Sequence, residues 1–258
     1  MKHIHISLVL LIGLLTFSSC KKDDDTPIND PTADNRKALG VSAEDLLSDD
    51  IYTSLTVEFV YPGSFRPTDI AINNFRNFLI ERLNKPNGIT FVETVISAPS
   101  GAPFSIAEIR DIEDEFRTEY NAANKMAVYV FFSNGSSAND TNTTVTLGTA
   151  YLNTSIVVYE KTLKDLANQN ANLDLSTLET STLTHEFGHI LGLVNIQNDD
   201  IHTNHEDPAH LKHCQVDTCL MYFESNSAHK IIEYFSRGNQ ISALDPLCIA
   251  DLQSKGGL

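Results

Sequence analysis

Two histidines and a glutamate constrain this chain more than any other feature. Thr184 to Asn195 reads THEFGHILGLVN, with His185 and His189 four residues apart and Glu186 beside the first. In an α-helix, residues four apart share a face, so both imidazoles reach the same metal ion and the carboxylate flanks it. The helix itself has independent signals. Ser176 and Glu179 have the spacing of a capping box, and Leu183, Phe187, Ile190 and Leu191 recur at helical spacing as a face to be buried. Gly192 suits the helix end, because glycine accepts the left-handed conformation that closes a last turn.

Upstream, the pattern alternates strands with helices. Leu55 to Tyr61 alternates apolar and polar residues over a β-branched run, the pattern of a half-buried strand ended by Pro62-Gly63. Pro67 suits a helix first turn, and Ile70, Ile72, Phe75, Phe78, Leu79 and Leu83 follow helical spacing until Asn87-Gly88. Ile89 to Ile96 is expected to be a second strand. Ile106, Ile109, Ile112, Phe116 and Tyr120 mark a second helix, and its acids, Glu113 among them, read as a solvated face. Met126 to Phe132 is apolar nearly throughout, as in a strand covered on both sides. Val145 to Tyr151 and Ser155 to Tyr159 read as two further strands. Beyond the central helix, Ala228, Ile231, Ile232 and Phe235 suggest a short helix, and Ala243 to Leu252 a terminal one.

The extended motif HExxHxxG resembles the metzincin clan of zinc peptidases, in which a third histidine follows the glycine turn. Here that position holds Asn195. Further on, His213-Cys214 to Cys219-Leu220-Met221 is similar to the archaemetzincin signature, with a metzincin-like interval from histidine to a methionine turn at Met221. The resemblance implies an α+β, metzincin-like (zincin) fold. Its parts are a twisted mixed sheet of about five strands with an antiparallel edge strand, two long helices plus the active-site helix, and a small irregular C-terminal subdomain carrying the Met-turn and a terminal helix. It divides residues 51–258 into an upper part, 51–192, and a lower part, 193–258. Its metal would be Zn2+, held by His185, His189 and a third side chain. His213 is the expected third ligand after an inserted loop, 196–212, with His205 and Asn195 as alternatives and His202 and His210 in the same loop. Zinc polarises the peptide carbonyl and activates water, and Glu186 is the expected general base that passes the proton to the leaving amine. Tyr222 is read as a packing residue. The edge strand would align an extended peptide through main-chain hydrogen bonds, a general mode of peptide binding.

The chain start has a different character. Residues 1–19 have a basic beginning and an apolar run from Ile6 to Phe17, too short for a membrane span, and read as a secretory signal peptide. Phe17-Ser18-Ser19-Cys20 resembles a bacterial lipobox with Cys20 as the lipid attachment, and the following Lys21 to Asp25 resembles the export signal of Bacteroidota surface lipoproteins. Residues 20–50, rich in Asp, Asn, Pro and Thr, are expected to be a disordered tether. An outer-membrane lipoprotein, exposed at the cell surface, leaves Cys214, Cys219 and Cys248 in an oxidising compartment. A Cys214–Cys219 disulfide is the expectation; archaemetzincins use corresponding cysteines for a second, structural zinc.

Charge narrows the partners. With 34 acidic against 18 basic residues, a formal charge of −16 argues against nucleic acid or anionic lipid as a partner. The expected partner is an extended peptide or protein, bound by a monomer that touches membrane only through its lipid. The reading is a zinc-dependent endopeptidase; the alternative is a non-catalytic surface binding lipoprotein with a structural zinc.

Overall fold

The computed structural model describes residues 30–223 and 241–258. The signal peptide, Cys20 and the short helix expected around Ala228 to Phe235 lie outside the described residues. Five strands form one sheet: β1 (Ser54–Pro62), β2 (Ile89–Ile96), β3 (Lys125–Phe132), β4 (Gly148–Leu152) and β5 (Ser155–Val158). Their order is β2-β1-β3-β5-β4; all neighbours are parallel except β4, which lies antiparallel to β5 at the edge. The helices are α1 (Ala43–Leu47), α2 (Asp69–Arg82), α3 (Ile106–Phe116), α4 (Glu160–Gln169), α5 (Leu175–Ile190) and α6 (Pro246–Ser254).

Side chains alternate across a strand, so the sheet separates two apolar clusters. On one face Val57, Phe59, Val128, Val130, Ile156 and Val158 pack with Phe75, Leu79, Leu183 and Phe187 of α2 and α5. On the other, Val60, Tyr129, Phe131 and Val157 meet Ile109 and Ile112 of α3. The alternation in β1 suggested a half-buried strand, but β1 lies between β2 and β3 with helices over both faces, and Thr56 and Glu58 are buried too. Glu58 is tolerated there because its carboxylate accepts from Thr118 N and Oγ1 and from Glu119 N. Glu113 likewise departs from the solvated face expected of α3. It is buried against Arg117 at 2.6 Å and accepts from Ser155 Oγ and Tyr151 Oη.

Other boundaries move for local reasons. The N-cap of α5 is Asp174, whose carboxylate accepts from Thr177 N at 2.9 Å; Ser176 donates to the same carboxylate, so no Ser176–Glu179 capping box forms. Glu179 faces away and accepts from Thr68 N and Oγ1. Residues 145–147 precede β4 rather than belonging to it, and α4 fills the stretch between β5 and α5, where the spacing predicts no element. The terminal helix starts at Pro246, behind an Asp245 cap.

The largest change concerns the expected tether. From Pro31 the chain packs on the domain: Leu46 and Leu47 are fully buried, Lys85 Nζ donates to the carbonyls of Asp45, Ser48 and Tyr52, and buried Asn35 donates to Ala127 O. Few apolar residues suffice here, because polar anchors secure the backbone as well.

Candidate metal centre

Local chemistry holds α5 at its C-terminal end. Gly192 adopts φ +81°, Gly192 N donates to His189 O at 3.1 Å and Leu193 N to Gly188 O at 3.0 Å, a Schellman closure that turns the chain away directly after His189. The returning segment brings in a third imidazole. Ring centroids of His185, His189 and His213 lie 4.9, 5.3 and 5.0 Å apart. One nitrogen from each lies within 4.8 Å of the others.

The orientation of these rings is fixed from behind. His185 Nδ1 lies 2.8 Å from Leu220 O, His189 Nδ1 3.2 Å from Leu193 O and His213 Nδ1 3.1 Å from Leu211 O. A carbonyl only accepts, so each Nδ1 carries the hydrogen and each Nε2 keeps its lone pair for a cation. Burial holds His189 well below the ordinary histidine range and holds His213 down to about 4, with neighbouring His185 adding repulsion, so both are neutral ligands at neutral pH. Three imidazoles, each backed by a carbonyl, fit a tetrahedral cation with one position open.

Glu186 stands beside the trio. Its Oε2 accepts from Ala150 N of edge strand β4 at 2.8 Å, and burial raises its carboxyl above the usual range, opposed by His185 and by that N–H. Gly148 makes room for it: an added Cβ would stand 2.7 Å from Glu186 Cγ. The residues border a cleft of about 330 Å3 that also touches Leu39, Thr149, Ile196, Lys212 and Phe223. Phe223 rather than Tyr222 faces it. Met221 is buried under α5, so close that a Cβ on Gly188 would lie 2.4 Å from its Sδ, and its carbonyl accepts from Cys214 N at 2.8 Å. That bond anchors the residue next to His213.

The alternatives for the third position go elsewhere. Asn195 is buried, its side-chain amide 3.4 Å from Glu206 and its backbone N bonded to Asp200. His205 joins a second group. His205, Cys214, Asp245 and Cys248 have ligand atoms within 4.8 Å of one another. No disulfide joins Cys214 to Cys219; Cys214, Cys219 and Cys248 are free thiols, all buried. Cys214 Sγ donates to Asp245 Oδ2 at 2.8 Å, and Cys219 Sγ lies 3.8 Å from Cys248 Sγ. Hydrogen bonds from Cys214 and Cys248 pull the Cys219 thiol down to about 4, and the same contacts push the Cys214 and Cys248 thiols up. His205 Nδ1 lies 3.7 Å from both Cys214 and Cys248 sulfurs, while Nε2 is held by Asp251 at 3.1 Å. Soft sulfurs, an imidazole with a carboxylate behind it and a second carboxylate suit a closed structural cation site. Spacing alone made the neighbouring pair look like a disulfide; the residue from α6 and the histidine from the loop are invisible to spacing.

A mixed sheet with an antiparallel edge strand, packed on a helix that carries HExxH and met by a histidine from below, defines a metzincin-like fold. Among solved structures, the chain is similar to archaemetzincin from Methanopyrus kandleri, with 17% identity and a TM-score of 0.50, over 79% of this chain and 96% of that one. The likeness at that identity is one of fold. No family model and no curated protein matches the chain.

Proposed function

We propose that this protein is a zinc-dependent metallopeptidase acting on extended peptide segments of extracellular or cell-surface proteins. The observation that carries the reading is the convergence of His185, His189 and His213 with every Nδ1 tied to a backbone carbonyl. Zinc at that trio would supply Lewis-acid polarisation of the scissile carbonyl and an activated water. The chain's own residues do the rest. Glu186, held by Ala150 N, takes a proton from water and delivers it to the leaving amine. Edge strand β4 has a neighbouring strand on one side only, and an extended peptide would add along its other side, where Ala150 N already holds Glu186. Met221, packed under Gly188, supports the floor in the manner of a methionine turn.

Cys214, Cys248, Asp245 and His205 would hold a second, structural zinc in the same reading, which the donor set supports. Cys20 is the proposed lipid attachment of an outer-membrane surface protein, supported by the basic and apolar start and the small residues before the cysteine. Labelled palmitate should enter the wild type and not Cys20→Ala.

The direct test is hydrolysis of unfolded protein and a mixed peptide library by zinc-loaded protein, with and without a chelator. Chelator-sensitive cleavage is expected. A protein that binds zinc at the trio but cleaves nothing is a binding protein instead.

A further inference from the structure

The cleft at the histidine trio is closed at one end, and the closure carries a positive charge. Residues 37–40 bridge two walls: Asn153 N, in the β4–β5 turn, donates to Lys37 O at 3.1 Å, and Gln197 Nε2, in the loop after α5, donates to Leu39 O at 2.5 Å. Gly40, at φ +79°, lies so tightly on this loop that an added Cβ would stand 2.7 Å from Ile196 Cγ2. Leu39 and Ile196 face the cleft beside the metal-binding histidines. An extended peptide paired with β4 therefore meets a wall in this direction.

Lys212 lies at that wall. It borders the cleft, and its ammonium donates to Asn195 O at 2.5 Å, next to Ile196, with Asn198 Oδ1 at 3.5 Å. Both partners are neutral, and among the described residues no carboxylate pairs with it, in a chain where acids outnumber bases 34 to 18. Its backbone is held at φ +69° by a bond from Lys212 N to Glu206 Oε1 at 2.8 Å, a conformation that glycine or asparagine would adopt at less cost. Backbone geometry thus gives no reason for lysine; the charge does.

We propose that Lys212 seats a substrate carboxylate at the closed end of the cleft, supplied either by a peptide C-terminus or by an Asp or Glu side chain close to the scissile bond. The inference rests on the metallopeptidase reading and adds the substrate class to it. A charge-assisted hydrogen bond of this kind is worth about 10- to 100-fold in affinity.

Matched peptides test it: one pair ending in a free acid or an amide, and another carrying Glu or Gln beside the cleavage site. Zinc-loaded wild type should prefer the carboxylate member of one pair by about 10-fold or more in kcat/KM, mostly through KM. Lys212→Gln should lose the preference, and Lys212→Arg should keep most of it. A preference within the first pair identifies the C-terminus; one within the second identifies a side chain. Equal cleavage within both pairs by wild type, or a preference that survives in Lys212→Gln, overturns the proposal. Should no peptide be cleaved, the peptidase reading fails separately, and calorimetric binding of the same peptides to zinc-loaded Glu186→Gln decides this one: tighter binding of a carboxylate member supports it, and equal affinities overturn it.

Discussion

Glu186 is held by a single backbone N–H and by the absence of a side chain at position 148. Glu186→Gln should keep the metal and lose about 10^2- to 10^4-fold in turnover, as expected when a positioned proton carrier is removed. Metal analysis beside the rate assay checks both halves. Gly148→Ala probes the same carboxylate from outside, because its Cβ would fall 2.7 Å from Glu186 Cγ and 2.8 Å from Thr182 Cγ2. It should lower kcat by about 10-fold or more while zinc stoichiometry stays that of the wild type. At this scale the sequence was partly legible. His185, Glu186 and His189 declare themselves because a helix converts a fixed spacing into a shared face. Glu58 and Glu113 did not, since their partners at Thr118 and Ser155 stand far along the chain.

Helices α4 and α5 meet through two acids. Glu160 is fully buried, with Lys164 Nζ 3.4 Å away, and Glu179 opposite spends one oxygen on Thr68 N and Oγ1. Burial, and then the charge of Glu179, push the Glu160 carboxyl up to about 9. The folded value lies above the unfolded one of roughly 4.3, so the protonated acid contributes fully below about pH 4 and its contribution is lost as pH rises through the folded value. Thermal stability should therefore fall between about pH 5 and 9, and Glu160→Gln, which keeps a neutral group of the same shape, should flatten that slope. At pH 8 the variant should melt about 3–6 °C higher, as read by circular dichroism. Leu163 and Leu166 of helix α4 lie at helical spacing, but one such pair does not by itself predict a helix. The period was present but short, and only packing on α5 gives it weight.

For the domain as a whole, residues 31–53 ahead of β1 are part of the fold. A chain beginning at Ile51 loses Leu46 and Leu47, each worth about 1.5–3 kcal/mol of burial, and leaves the Lys85 ammonium without Asp45 O and Ser48 O. It should melt well below a chain beginning at Asp30, and denaturant titration of the two gives the difference. The two ligand groups predict two zinc ions per chain. His189→Ala should lose one and retain the thiol-bound ion, whereas Cys248→Ser should lose the other and lower the melting temperature, both read by metal analysis. Two thiols titrating freely with the metal in place would argue against the second site.

The sequence by itself determined what depends on local spacing: the succession of the five strands with helices α2, α3 and α5, the HExxH face, the Gly192 turn, and the interval from His213 to Met221. Only the tertiary structure decided that His213 and not His205 meets the helical pair, that His205 turns instead to Cys214 and Cys248, that no disulfide joins Cys214, Cys219 and Cys248, and that Leu39 from the segment ahead of β1 borders the cleft. Those outcomes depend on groups brought together by the fold, whose distances no repeat along the chain encodes, while a helix or strand writes its own period into neighbouring residues.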